Sequence, residues 1–133
     1  GLQTRDFVFV EDVARANVLV AEKDEANFGV FNVGTGIATT VLEFVAALTQ
    51  VYGRDVKPEL PGEFRPGDFR HLFTDATRLR ALGWEPLVPL AEGLRRYAAW
   101  IQTYGTVEEY FSEAERLLKE TRVVMQSGGG SAG

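Results

Sequence analysis

The segment from Thr40 to Gly53 constrains the fold most. Thr40-Val41-Leu42-Glu43 sets a hydroxyl three residues before a carboxylate, the pair that satisfies the first orphan amides of a helix. Val41, Phe44, Val45, Leu48 and Tyr52 then recur on one face, and Gly53 supplies a C-terminal stop. A helix with one apolar stripe must bury it against another element. Other helices are at hand. Between Glu11 and Lys23, Val13, Ala16, Val20 and Ala21 recur at helical spacing, with acids in the first turn where the helix dipole favours them. Asp75 is placed to cap a helix from Ala76 to Leu82 that Gly83 closes. Pro89 suits the first turn of a helix striped by Leu90, Leu94, Tyr97, Ala98 and Ile101, running to Tyr104 and stopped by Gly105. Thr106-Val107-Glu108-Glu109 repeats the capping pattern before a last amphipathic helix.

Between these lie short apolar runs: Phe7–Val10, Val30–Val33, Val56–Leu60 and Leu72–Phe73. Each is aromatic or β-branched and too short for helical periodicity, so each reads as a short strand. Short strands alternating with amphipathic helices predict an α/β class. Residues 1–104 form the main unit, 105–123 a helical extension, and 124–133, ending SGGGSAG, a flexible tail.

With 133 residues, 45% of them apolar, the chain is one globular domain or part of a larger one. It begins at glycine and runs almost at once into a strand-like segment, which suggests a piece of something longer. Cysteine is absent, which excludes disulfides and thiol chemistry, and a single histidine argues against a metal centre. A net charge of −5 argues against nucleic-acid binding, because phosphate neutralisation needs a basic surface. No apolar run approaches the ~20 residues of a membrane helix, and the start has no signal-peptide layout, so a cytoplasmic location is expected.

Eleven of the fourteen basic residues are arginine, the side chain suited to bidentate phosphate recognition. Two of them stand in Gly62-Glu63-Phe64-Arg65-Pro66-Gly67-Asp68-Phe69-Arg70-His71. Its proline and glycines limit the backbone to a few turn conformations, so Arg65 and Asp68 are presented on a defined scaffold. The stretch reads as an anion-binding loop, against the alternative of a surface turn with solvated charges.

Three stretches, RDFVFVEDVARA (Arg5–Ala16), FNVGTGIATTVLEF (Phe31–Phe44) and FRPGDFRHLFTDATRLRALGWEP (Phe64–Pro86), occur in this order. Together with the helix start at Pro89 they resemble the C-terminal half of the extended short-chain dehydrogenase/reductase family. The resemblance is to its NAD-dependent nucleotide-sugar epimerases and dehydratases, most of all the 4-epimerases of deoxythymidine-diphosphate deoxyhexoses. It implies the C-terminal substrate domain of an extended Rossmann-type enzyme that binds a nucleoside diphosphate sugar. It also implies that Arg5 and Arg65 bind the substrate diphosphate, that Asp68 accepts from the nucleotide ribose, and that Phe7 lies near the ligand. NAD and the N-terminal Rossmann half are implied for a homodimeric parent, with neither cofactor nor metal expected on this chain.

Other readings of these residues remain. Arg5 alternatively pairs with Asp6 or Glu11 at a strand edge. Arg70 is expected in a structural ion pair, His71 as a hydrogen-bonded structural residue, and Trp84 and Trp100 in core or interdomain packing. Gly34-Thr35-Gly36 is a turn and not a dinucleotide fingerprint, because the third glycine position is Thr39. The resemblance implies a catalytic tyrosine followed four positions later by lysine, yet Tyr52, Tyr97, Tyr104 and Tyr110 are followed there by Val56, Ile101, Glu108 and Ala114. No catalytic residue is therefore expected on this chain. The alternative function is a free-standing nucleoside-diphosphate-binding module, or a structural piece, without catalysis.

Overall fold

The computed structural model describes residues 1–105, 111–121 and 123–126. Along the chain run β1 (Thr4–Arg5), α1 (Val10–Glu22), a 3-10 turn (Asp24–Ala26), β2 (Thr39–Thr40), α2 (Val41–Tyr52) and β3 (Glu63–Phe64). They are followed by α3 (Thr77–Ala81), α4 (Leu90–Gln102), α5 (Phe111–Glu120) and β4 (Met125–Gln126). The class is mixed α/β, as expected.

α2 forms where its sequence demands. Thr40 Oγ1 accepts from Glu43 N at 3.1 Å, Glu43 Oε2 accepts from Thr40 N at 2.7 Å, and Gly53 closes the helix at φ 61°. Thr40→Ala should cost about 1 kcal/mol, because one amide of the first turn loses its acceptor. Thermal unfolding followed by circular dichroism reads it directly. α2 packs on α4, and α1 buries Ala16 in a core with Ala76, Leu79 and Trp84. Asp75 Oδ1 accepts from Thr77 N at 2.9 Å at the start of α3, and Gly83 ends that helix at φ 95°. Gly105 likewise stops the chain after α4 at φ 72°.

The strands differ from expectation. Phe7–Phe9 join no ladder, and α1 begins at Val10, because Asp12 N and Val13 N donate back to Phe9 O at 3.0 and 3.2 Å. The rings of this run go into packing instead: Phe7 stacks on Phe44 at 4.3 Å, and Phe9 lies against Gly93. Val30–Val33, Val56–Leu60 and Leu72–Phe73 form no strand either. A strand exists only through its ladder, and among the described residues these runs join none, Leu72 making a single bond to Thr4 O. The ladders that do form are two residues long. β1 pairs antiparallel with β2, Thr4 opposite Thr40 and Arg5 opposite Thr39, while Thr4 bridges to His71 on its other side. β3 pairs antiparallel with β4, so two residues of the stretch read as tail, Met125 and Gln126, lie against Phe64 and Glu63. The second capping pattern, 106–109, and residues 127–133 lie outside the described residues. No described helix is long and apolar enough to cross a membrane.

Candidate functional site

The site is built around β1. Thr4 N donates to Arg70 O at 2.9 Å and Leu72 N donates to Thr4 O at 3.2 Å, which draws the end of the Gly62–His71 loop alongside the start of the chain. Within that loop Asp68 N donates to Arg65 O at 3.1 Å, and Gly67 takes φ 82°, a conformation that favours glycine. The result brings together residues far apart in sequence. Arg5 Nη2 donates to Asp68 Oδ2 at 2.9 Å, with Arg5 29% and Asp68 55% exposed at the side chain, while Arg5 Nη1 donates to Thr4 O at 2.8 Å. Arg5 therefore pairs across the fold with Asp68. Its neighbours Asp6 and Glu11 are engaged elsewhere.

Arg65 stands exposed three residues from Asp68 and makes no side-chain ion pair among the described residues. A guanidinium in that condition keeps all its donors available to an anion. Phe7, the fourth residue named from sequence, faces an apolar groove of about 240 Å³ lined also by Phe9, Phe44, Pro89, Leu94 and Tyr97. His71 is structural: its Nδ1 lies 3.2 Å from Thr4 Oγ1. Arg70 forms no ion pair among the described residues, contrary to expectation, and contributes its carbonyl instead. Trp84 is 2% exposed and donates from Nε1 to Asp12 O at 3.0 Å, whereas Trp100 is half exposed between Tyr97 and Tyr104.

Two carboxylates that sequence reasoning passed over organise the surroundings. Asp6 accepts from Thr35 N and Gly36 N, each at 2.9 Å, and from Thr74 N at 3.1 Å. Gly34 permits this approach, because a Cβ there would lie 2.4 Å from Thr74 Cβ and 2.6 Å from Asp6 Oδ2. Burial alone would raise the Asp6 pKa, but the Thr35 hydroxyl and the three amides outweigh it and hold the carboxyl below its ordinary range. Asp12, fully buried, is held down in the same way by the Arg15 guanidinium and the amides of Leu87 and Val88. The available signal was an acid directly beside Arg5, upstream of a Gly-x-Gly turn. No group of three or more metal-ligating side chains stands together among the described residues.

The family model of GDP-mannose 4,6 dehydratase matches residues 1–97. The chain belongs to that family. It is 36% identical over 102 residues to the dTDP-L-rhamnose 4-epimerase of Burkholderia thailandensis, covering 76% of this chain and 28% of that protein. In structure it is similar to the Thermotoga maritima UDP-glucose 4-epimerase solved with UDP-glucose, with TM-score 0.69 and 40% identity over 78% of this chain and 33% of the other. It is also similar to the Thermus thermophilus UDP-glucose 4-epimerase complexed with NAD, with TM-score 0.59 and 38% identity over 71% of this chain and 29% of the other. The resemblance to Rossmann-type nucleotide-sugar epimerases and dehydratases is thus borne out. The chain spans about a third or less of the length of these relatives.

Proposed function

We propose that this chain is the C-terminal, substrate-binding part of a cytoplasmic NAD-dependent nucleotide-sugar 4-epimerase or 4,6-dehydratase, and that its role is to hold the nucleoside diphosphate. The observation that carries the reading is the Arg5–Asp68 pair at 2.9 Å, which sets the proposed diphosphate and ribose ligands side by side next to the exposed Arg65. Arg5 and Arg65 approach one anion from β1 and from the loop. Each charge-assisted hydrogen bond is worth about 1.5–3 kcal/mol where water is excluded. As phosphate oxygens replace the Asp68 carboxylate on Arg5, Asp68 becomes free to accept from a ribose hydroxyl. Phe7 and its groove offer an apolar wall beside the ligand.

The Gly34–Gly36 turn does not suit the NAD pyrophosphate. The amides of Thr35 and Gly36, in the one turn that looks like a phosphate loop, are already taken by Asp6, and no helix starts until Val41. We assign cofactor binding and the tyrosine–lysine pair to the N-terminal half of the parent, so this chain alone is inactive. The Val30–Val33 run, which joins no ladder among the described residues and leaves Val30 75% exposed, supports a missing neighbour there.

Calorimetric titration with uridine and thymidine diphosphates tests the reading. Binding is expected to be weak, and Arg5→Ala and Arg65→Ala should each lower affinity about tenfold or more. An unmutated chain that gives no heat with either nucleotide, or arginine variants that bind as it does, would sink the assignment.

A further inference from the structure

The loop carrying Arg65 is held at both ends. Its far end is tied to β1 through Thr4 and through the Arg5–Asp68 pair. Its near end is tied to the C-terminal segment, which lies beyond the 1–97 family match: β4 pairs with β3, Phe64 opposite Met125 and Glu63 opposite Gln126. From α5, Lys119 Nζ reaches Glu63 Oε1 at 3.3 Å while also holding Glu115 Oε1 at 2.7 Å.

Two physical consequences follow for Arg65. It is bonded directly to Phe64, so a ladder that fixes Phe64 confines the Arg65 Cα to a position about 3.8 Å away. Ordering a long, exposed side chain on a mobile backbone costs binding free energy, and a fixed backbone removes part of that cost beforehand. The second consequence is electrostatic. Glu63, only 18% exposed at its side chain, places a negative charge two residues from the proposed anion ligand. Unscreened it repels a phosphate; Lys119, which it shares with Glu115, offsets part of that charge.

We propose that α5 and β4 act as a strap that positions the anion site. β4 fixes the backbone under Arg65, and Lys119, shared with Glu115, offsets part of the Glu63 charge, so nucleotide affinity depends on residues that touch no ligand. Lys119 and Met125 are positioning residues. The inference rests on the diphosphate reading above.

The test uses the full chain, uridine diphosphate as probe, and Met125→Pro and Gln126→Pro, of which one removes the amide that β4 donates to the ladder and both disfavour regular pairing, without changing charge. Each is expected to weaken binding about tenfold and to speed amide exchange at residues 63–68. Lys119→Gln should weaken it as well, and Lys119→Arg should restore it. In an Arg65→Ala background the proline variants should have no further effect, which separates positioning of Arg65 from general destabilisation. Affinities that stay unchanged, or fall as far without Arg65 as with it, overturn the strap alone. An unmutated chain that binds no nucleotide overturns the diphosphate reading and this inference together.

Discussion

Replacing Asp12 by alanine should destabilise the chain by about 3 kcal/mol, a large share of the 5–15 kcal/mol available to a domain. The carboxylate is fully buried, at 0% exposure, on the first turn of α1. It accepts from Leu87 N at 3.1 Å, Val88 N at 3.0 Å and the Arg15 guanidinium, and Arg15 in turn donates to Glu85 O at 2.9 Å. Alanine leaves two amides unpaired beside the core residue Trp84 and releases the connector into α4. The estimate sits at the lower end for a broken buried pair, because Arg15 is 41% exposed and regains water. Asparagine keeps one acceptor but turns an N–H₂ toward existing donors, so Asp12→Asn should recover only part of the loss. Chemical denaturation with the slope held common across variants measures both. A change below about 0.5 kcal/mol for the alanine variant would refute this account.

Removing Asp6 should act on the site more than on the fold. Asp6→Ala leaves Thr35 N, Gly36 N and Thr74 N without their acceptor and frees the Gly34–Gly36 turn from the segment after His71, at a cost of about 2 kcal/mol. Arg5 is its immediate neighbour, so nucleotide affinity should fall even though Asp6 faces away into the turn. Acid offers a second readout. Asp6 and Asp12 are both held below their ordinary range, so the unfolded chain takes up protons first as pH falls. Their stabilisation is complete above the ordinary aspartate value of about 3.9 and is lost as pH falls through the depressed folded values. Thermal midpoints measured from pH 7 down to pH 2 should drop below about pH 4, and less steeply in Asp6→Asn. A midpoint that holds level to pH 2 contradicts these pairings.

The site was only partly legible. Arg5, Phe7, Arg65 and Asp68 were nameable through the resemblance of the motifs that contain them, and of the four only the two arginines carry a side chain suited to an anion. That Arg5 meets Asp68 was not readable: the partners weighed from sequence were its neighbours Asp6 and Glu11, and only the fold brings Asp68 beside it. Asp6 and Asp12 were invisible for the same reason. A carboxylate that gathers amides from elsewhere in the chain looks, in sequence, like a helix-start acid or a surface charge.

The sequence by itself placed α1 to α4, with ends within two residues of those observed, because a helix satisfies its hydrogen bonds within four residues and its caps within three. Thr40, Glu43 and Gly53 were therefore decisive as written. It also determined the family, through motifs that persist in order. Strands were decided by tertiary structure alone. Phe7–Phe9 and Val30–Val33 have strand composition yet join no ladder, while Thr4–Arg5 and Glu63–Phe64 pair because the fold brings Thr40, His71 and Met125 beside them. A strand's hydrogen bonds are made to distant parts of the chain, so no local pattern can specify them.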